Sequence, residues 1–222
     1  MAYRETEKTR QNRESRYESI LEAALQITAH KGFSGTTIAA IARQAGVATG
    51  SVYRYFPGKA ELLSEVFRLA SGREVERVKA ALEGDGSPSD RLATAVREFA
   101  WRAFKGRELA YALIAEPSDP LVESDRLDYR RRYAALFSAI VTEGSGAHEF
   151  VAQNAELTGS ALVGALAESL IGPLATAIAT DSDKATQIDW IEQLVLFSLR
   201  AVGCLIQPSA AGIPYNPHGK PQ

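Results

Sequence analysis

Residues 36–56 hold two short apolar patterns on either side of one glycine, and this arrangement predicts two helices joined by a tight turn. On the first helix the apolar positions recur at i, i+3, i+4 and i+7, and they are Ile38, Ile41, Ala42 and Ala45. Gly46 predicts the end of that helix, because glycine adopts the left-handed conformation that helix ends often need. The second helix is expected to start near Thr49, with Val52 and Phe56 on its buried side.

The outward face of the second helix is expected to carry Gly50 and Arg54, which lie opposite the buried side at about 100° per residue. Gly50 would let the backbone approach another molecule closely, and Arg54 offers a guanidinium that matches guanine O6 and N7. Hydroxyl groups of the kind that bind phosphates surround them on Thr49, Ser51, Tyr53 and Tyr55. The face therefore predicts binding in the major groove of DNA. Spacing alone leaves open an ordinary helical hairpin with a solvated polar face.

Residues 14–67 resemble the N-terminal DNA-binding domain of the TetR family, a family of bacterial regulators. The matching segments are ILEAALQITAHKGFSGTTIAAIARQAGV and TGSVYRYFPGKAELLSEVF. The matching positions are Gly32-Phe33, Thr36-Thr37, Ile41-Ala42, Ala45-Gly46-Val47, Tyr53, Tyr55-Phe56, Lys59 and Leu62. The resemblance implies an all-α fold, in which a three-helix helix-turn-helix head precedes a larger helical domain for ligand binding and dimerisation. The rest of the chain fits the family only in length and helical character.

Two positions depart from the family pattern at helix starts. Ala48 stands where the family often has a Ser or Thr that caps the recognition helix, and we expect Thr49 to act as the cap instead. Gly58 takes the place of a polar cap at the next helix, where glycine costs only a few tenths of a kcal/mol.

The resemblance and the helix face together predict a DNA-binding site of nine residues. We expect four of them to read the major groove, namely Gly50, Ser51, Tyr53 and Arg54. We expect Thr37, Thr49, Tyr55 and Lys59 to contact phosphates, and Thr36 completes the predicted DNA-binding set.

Charge is divided unevenly along the chain. The 222 residues have a formal net charge of −2, but residues 1–60 carry nine Lys or Arg and five Glu, a net charge of +4. The remaining 162 residues therefore carry −6. A basic head on an acidic body directs the attraction for phosphate to one end. Because this charge is modest, we expect a homodimer that presents two heads to a two-fold symmetric operator.

The sequence predicts a division into a flexible arm over 1–13, a DNA-binding domain over 14–58, a helical body over 59–206 and a disordered tail over 207–222. The fourth helix, from Lys59, is expected to connect head and body. Further helices are predicted over 14–30, 89–105, 107–115, 120–143, 154–180 and 184–206, with caps at Ser89 or Asp90, Asp119 and Asn154, and a kink at Gly172-Pro173.

The resemblance also implies a cavity in the body for an unidentified small-molecule effector. Aromatic residues of the middle helices are the candidate walls, namely Trp101, Phe104, Tyr111, Tyr129, Tyr133 and Phe137. For each of them taken singly, an ordinary core position is the more common role. Glu168, alone in an apolar stretch, is predicted to anchor a ligand or to join an internal ion pair. The run Arg130–Arg132 fits either an anion site or a solvated face.

The last two helices are the candidate dimer surface, because they combine small residues with more large apolar residues than one core face needs. The predicted contacts are Gly159, Gly164, Ile191, Leu194, Val195 and Val202. In TetR-like proteins the last two long helices pair with those of a second subunit. The alternative is that these helices form internal core.

Other function classes find little support in the sequence. The three histidines are far apart, and neither a phosphate-binding glycine loop nor a G-x-S-x-G motif occurs. We therefore expect no enzyme, no cofactor and no metal, in a cytoplasmic protein without a membrane span. The predicted function is a transcriptional regulator, most simply a repressor that an effector releases from DNA. The alternative is a helical sensor that acts through a protein partner without binding DNA.

Overall fold

A computed structural model of the chain describes residues 7–175 and 183–204. In these residues the chain forms nine α-helices and no β-strand, which confirms the all-α prediction. The helices are α1 (Glu7–Lys31), α2 (Ile38–Gln44), α3 (Thr49–Tyr55), α4 (Lys59–Leu82), α5 (Pro88–Lys105), α6 (Arg107–Ile114), α7 (Pro120–Gly146), α8 (Ala155–Ala175) and α9 (Asp183–Ala201).

Helix α1 begins at Glu7, seven residues before the predicted start at 14, so residues 7–13 of the predicted arm are helical. This segment contains neither glycine nor proline, and its polar residues are compatible with a helix. Arg10 and Glu14 lie one turn apart, with 4.0 Å between the Arg10 Nε and Glu14 Oε1 atoms. Residues 1–6 lie outside the described part of the chain.

Several helix ends differ from the sequence prediction. Ser87, rather than Ser89 or Asp90, caps α5, because its hydroxyl accepts a hydrogen bond from the Asp90 N–H at 3.2 Å and Pro88 occupies the first turn. Helix α7 continues three residues past 143, to Gly146. The expected caps at Asp119 and Asn154 are confirmed, since their side chains accept hydrogen bonds from the amides of Leu121 and Leu157.

Helix α9 ends at Ala201, five residues before the predicted end. Gly203 follows with φ +62°, a left-handed conformation that glycine adopts without strain. The predicted tail over 207–222 and the predicted end of α8 over 176–180 lie outside the described residues.

Two hydrophobic cores share helix α4. The first core joins α1–α4, and it also takes up Ala112 of α6 and Tyr129 of α7. The second core lies among α4, α5, α7, α8 and α9. Phe67 of α4 belongs to the first core and Val78 to the second, so one rigid helix passes through both. This arrangement supports α4 as the connector of head and body, and the stated domain bounds stay a prediction.

Helix α8 is long and apolar enough to cross a membrane by length and composition, and no other helix of the described residues passes that test. This is weak evidence, because core helices of water-soluble proteins pass it as well. Four leucines at four-residue spacing bury one side of α8 in the second core, namely Leu162, Leu166, Leu170 and Leu174. Nothing in the structure places this helix in a membrane.

Candidate DNA-binding face and ligand cavity

Helix α3 is held by its apolar side. Val52 is fully buried and Phe56 is 2% exposed, as the spacing predicts. The ring of Phe56 stacks on the Tyr17 ring of α1, with 4.9 Å between the centroids. The helix therefore cannot rotate about its axis without exposing this aromatic contact, and its other side has a defined orientation.

The opposite side of α3 faces solvent. Tyr53 is 51% exposed, Arg54 is exposed, and a Cβ atom built on Gly50 would meet no atom within 4 Å. Among the residues that the structure describes, no carboxylate pairs with the Arg54 guanidinium. Ser51 and Tyr55, at the flanks, are half-buried. The face that spacing predicts as the major-groove reader is thus free to contact another molecule.

The start of α3 differs from the prediction in one respect. Ala48 occupies the N-cap position with extended backbone, and no side chain caps the helix. The prediction that Thr49 acts as the cap is wrong, because Thr49 is already the first helical residue. Gly58 does occupy the N-cap of α4, as predicted, and Lys59 begins that helix with an exposed side chain.

The two neighbouring threonines before α2 have different roles. Thr37 is exposed and caps α2, where its hydroxyl accepts from the Ala40 N–H at 3.2 Å. Thr36 is fully buried, and its hydroxyl donates to the Gly32 carbonyl at 2.7 Å and lies 3.1 Å from the Thr28 hydroxyl. The inclusion of the Thr36 side chain among the DNA-binding groups is therefore wrong, because the turn directs it toward α1.

The body contains a cavity of about 810 Å³ among α4, α5, α6, α7 and α8. Four of the predicted aromatic walls do line it, namely Trp101, Tyr129, Tyr133 and Phe137. Phe104 and Tyr111 do not line it, and both pack against the second core. Burial raises the pKa of the Tyr133 hydroxyl, and the nearby Glu74 carboxylate is the second cause.

Glu168 is neither a pocket anchor nor an internal ion-pair member in the described structure. It lies on the exposed side of α8, whereas Val163, Leu166 and Ala167 face the cavity. Because Glu168 stands alone in an apolar stretch, the sequence suggested that its carboxylate is buried. Only one side of this apolar helix packs against the rest of the protomer, and Glu168 is on the other side.

The arginine run on α7 divides among three environments. Arg130 lines the cavity, Arg131 pairs with Asp128 at 2.6 Å, and the Arg132 guanidinium carbon lies 4.5 Å from the centroid of the Tyr129 ring. Only one member of the run is therefore placed to meet a ligand.

A group of charged side chains beside the cavity was missed from the sequence. Arg102 donates from Nε to a Glu74 oxygen at 2.8 Å and from Nη1 to a Glu98 oxygen at 3.1 Å, and Arg77 also pairs with Glu74. Within the described part of the chain, the remaining Nη2 atom of Arg102 is buried and has no hydrogen-bond partner. Glu98 and Arg102 are four residues apart on α5, and this spacing is also typical of an ordinary surface pair. The sequence therefore gave no signal that distinguishes them.

The cavity lining has more basic than acidic side chains. The basic ones are Arg77, Arg102, Lys105, Arg126 and Arg130, against Glu74 and Glu98. The Lys105 ammonium lies 4.9 Å from the centroid of the Trp101 ring. An apolar cavity with this excess of positive charge suits a ligand that has an apolar body and an anionic group.

Five of the six predicted dimer contacts are buried inside the protomer. Ile191, Leu194, Val195 and Val202 belong to the second core. Gly159 packs against α7, where an added Cβ would lie 2.6 Å from the Ala134 carbonyl oxygen. The prediction is wrong for these five residues. Ile191, Leu194 and Val195 lie on the core face of α9, Val202 is buried just after its end, and Gly159 lies on the side of α8 that packs against α7.

A different set of residues on α8 and α9 faces solvent. Gly164 alone of the predicted contacts is exposed, with no atom within 4 Å of an added Cβ. Large apolar side chains also stand on this surface, namely Leu157 at 68% exposure, Trp190 at 41% and Phe197 at 50%. We call Leu157, Gly164, Trp190 and Phe197 the outer α8–α9 face.

Titratable groups in the described residues form no cluster of three or more His, Cys, Asp or Glu side chains that could hold a metal ion.

Comparison with known proteins supports the interpretation of the head. Residues 20–66 match the sequence model of the family described as bacterial regulatory proteins, tetR family. The fatty acid metabolism regulator protein of Bacillus subtilis is 31% identical over 81 residues, which cover 36% of this chain and 42% of that protein. The transcriptional repressor KstR of Mycolicibacterium smegmatis is 43% identical over 82 residues, covering 35% and 38%. The alignments thus span about two fifths of these relatives.

The whole fold is similar to solved regulator structures. The transcriptional regulator FadR from Bacillus subtilis, solved in complex with stearoyl-CoA, has a TM-score of 0.70 over 84% of this chain and 99% of that one. Sequence identity in this comparison is 21%, so the likeness concerns the fold.

Proposed function

The chain belongs to the TetR family of bacterial regulatory proteins, and on this premise we propose that it is a homodimeric repressor that leaves its operator when a small molecule fills the cavity. The observation that carries the proposal is the solvent-facing side of α3, where Tyr53 and Arg54 are exposed and a Cβ atom added to Gly50 would meet no atom within 4 Å. A helix fixed by Val52 and Phe56 presents this side rigidly. We place the protein in the cytoplasm and assign it no enzymatic activity.

A sensor that acts through a protein partner is the rival function. It would have no use for an exposed Tyr53, Arg54 and Lys59 on one end of the molecule. A gel-shift assay with the DNA upstream of the protein's own gene tests the proposal directly. Binding that resists excess unrelated DNA supports the repressor, and binding equal to that of unrelated DNA supports the rival.

Replacing Arg54 with alanine should cost about 1–3 kcal/mol of operator binding and relax specificity at one base position. The physical reason is the loss of a bidentate contact from the guanidinium to guanine. Binding measurements on operators with single base changes would show the relaxed position. Arg131→Ala, which removes an exposed arginine of the body paired with Asp128, is the matched control and should bind normally. An equal loss for Arg54→Ala on every sequence would mean that Arg54 contacts only the backbone of DNA.

Replacing Lys59 with alanine should weaken binding to all DNA sequences alike and reduce the salt slope by about one. Lys59 is exposed at the first turn of α4, next to the DNA-reading end of the head. The measurement is the operator affinity over a series of salt concentrations. Lys79→Ala, at an exposed lysine of the same helix, is the control. An unchanged slope for Lys59→Ala would remove this residue from the phosphate contacts.

We propose an amphipathic anion, such as a long-chain acyl-CoA, as the effector. The supporting observations are the aromatic walls, the excess of basic side chains on the lining and the stearoyl-CoA bound by the FadR structure. In a Trp190→Phe variant, Trp101 is the only tryptophan, so its fluorescence reports on the cavity. Palmitoyl-CoA should change this fluorescence and release operator DNA. Coenzyme A and palmitate, tested separately, show whether the phosphates or the carboxylate provide the anionic group.

A further inference from the structure

A buried carboxylate joins the body to the head at Glu116, in the loop between α6 and α7. Glu116 is 9% exposed. Its Oε2 accepts a hydrogen bond from the Phe33 N–H at 2.7 Å, and its Oε1 accepts one from the Ser34 N–H at 2.9 Å. These two amides belong to the turn between α1 and α2, so one side chain of the body binds the backbone of the head.

Gly32 makes room for this carboxylate. Its φ is +68°, and a Cβ atom at this position would lie 2.5 Å from the Glu116 Oε2 atom. The same turn is stiffened on its inner side by the Thr36 hydroxyl, which bonds to the Gly32 carbonyl. A rigid turn bound at two adjacent amides transmits a displacement of Glu116 to α1 and α2.

The other end of this connection reaches the cavity through Arg126. Its guanidinium donates to the carbonyl oxygens of Glu116 at 2.8 Å, Ala112 at 3.1 Å and Leu113 at 3.0 Å. Arg126 is 8% exposed and, like Leu113, lines the cavity. It therefore ties the last turn of α6 and the Glu116 loop into one unit that forms part of the cavity wall.

We infer that Glu116 is the positioning residue that couples the cavity to the DNA-binding head, a role that rests on the proposed function. A ligand that presses on Leu113 or Arg126 moves the end of α6 and withdraws the carboxylate from the Phe33 and Ser34 amides. A buried carboxylate without hydrogen-bond partners costs free energy, so the Glu116 carboxylate either binds the Phe33 and Ser34 amides or is hydrated by water. These two arrangements are the two states of the connection. Thermodynamic linkage makes this coupling reciprocal. The state in which Glu116 binds the head has a lower affinity for the ligand, by the same factor as the ligand weakens the Glu116 contact.

The test measures hydrogen exchange at the Phe33 and Ser34 amides and requires neither operator nor effector. Ala110→Phe, at a cavity-lining residue of α6, takes the place of the ligand by filling the cavity from within. In a Trp190→Phe background, weaker quenching of Trp101 by acrylamide confirms that the cavity is filled. Glu116→Gln keeps the shape of the side chain and removes the charge.

We expect Glu116→Gln to speed exchange at both amides by on the order of tenfold or more, because charge-assisted hydrogen bonds are lost. Ala110→Phe should speed exchange at the same amides when Glu116 is present and have no further effect on Glu116→Gln. The side chain of Glu116→Asp is too short to reach both amides, so this variant should show the same faster exchange as Glu116→Gln. It serves as the test variant if Glu116→Gln does not fold. Glu83→Gln, at an exposed carboxylate beside Lys79, is the control.

Two results would overturn the coupling role. One is a filled cavity that leaves the Phe33 and Ser34 amides unchanged. The other is an equal response to Ala110→Phe with and without the Glu116 carboxylate, since the displacement would then travel by another route. If the protein does not bind the operator specifically, or if acyl-CoA does not release it, the proposed function is wrong. The hydrogen-exchange result does not depend on either assay.

Discussion

Replacing Phe197 with glutamate should convert the protein to monomers and abolish high-affinity binding to a two-fold operator. Trp190 and Phe197 are seven residues apart, so they lie on the same side of α9, and both are exposed in the protomer, at 41% and 50%. In the proposed dimer a two-fold axis applies the change twice. Losing two buried aromatic side chains and burying two unpaired charges should weaken dimerisation by at least about 100-fold.

Sedimentation equilibrium measures this effect. Leu127→Glu is the matched control, because Leu127 is 52% exposed on α7, a helix that contributes no residue to the outer α8–α9 face. Gly164→Glu should act in the same direction as Phe197→Glu, since Gly164 is the predicted contact that the structure leaves exposed. If Phe197→Glu and Gly164→Glu both sediment like the unaltered protein, the outer α8–α9 face is not the dimer surface.

Replacing Gly159 with leucine should destabilise the folded protomer by about 3 kcal/mol or more. A Cβ atom there would lie 2.6 Å from the Ala134 carbonyl oxygen and 2.7 Å from the Ser138 backbone nitrogen. These are main-chain atoms of α7, so α7 and α8 must move apart, and overpacking of this kind costs about 1–3 kcal/mol and sometimes more. For a chain of this size the midpoint of thermal unfolding should fall by roughly 6–12 °C.

Gly164→Leu on the same helix is the control for Gly159→Leu, because its added side chain meets open space. Both variants are best compared in the Phe197→Glu background, so that dissociation of a dimer does not contribute to the melting curve. Equal midpoints for the two leucine variants would show that α7 and α8 are not packed at Gly159 as closely as the structure indicates.

The head was largely predictable because its signals are local. A helix of 3.6 residues per turn converts the spacing of Ile41, Val52 and Phe56 directly into burial. Gly46, at the predicted end of α2, has φ +66°, as a glycine at a helix end should. Thr36 is the exception, because two residues outside α2 no helical spacing indicates which way a side chain points.

The body was less predictable because several helices compete for the same apolar residues. The pattern on α9 shows that Leu194 and Val195 share a face, but not whether that face meets the protomer or a second copy. The same ambiguity placed Tyr111 in the cavity wall, whereas it packs in the second core. Of the predicted pocket residues, the four that line the cavity lie on the sides of α5 and α7 that face each other across it.

The sequence alone determined the helical character of the chain and the outward side of α3, since each follows from spacing within about one helix length. Only the tertiary structure decided that Glu116 binds the Phe33 amide, 83 residues earlier in the chain, and that Gly159 belongs to the interior. A carboxylate after a short helix and a glycine within a long one have no neighbour in the sequence that reveals their partners. Such contacts depend on how the helices pack, and periodicity carries no information about that packing.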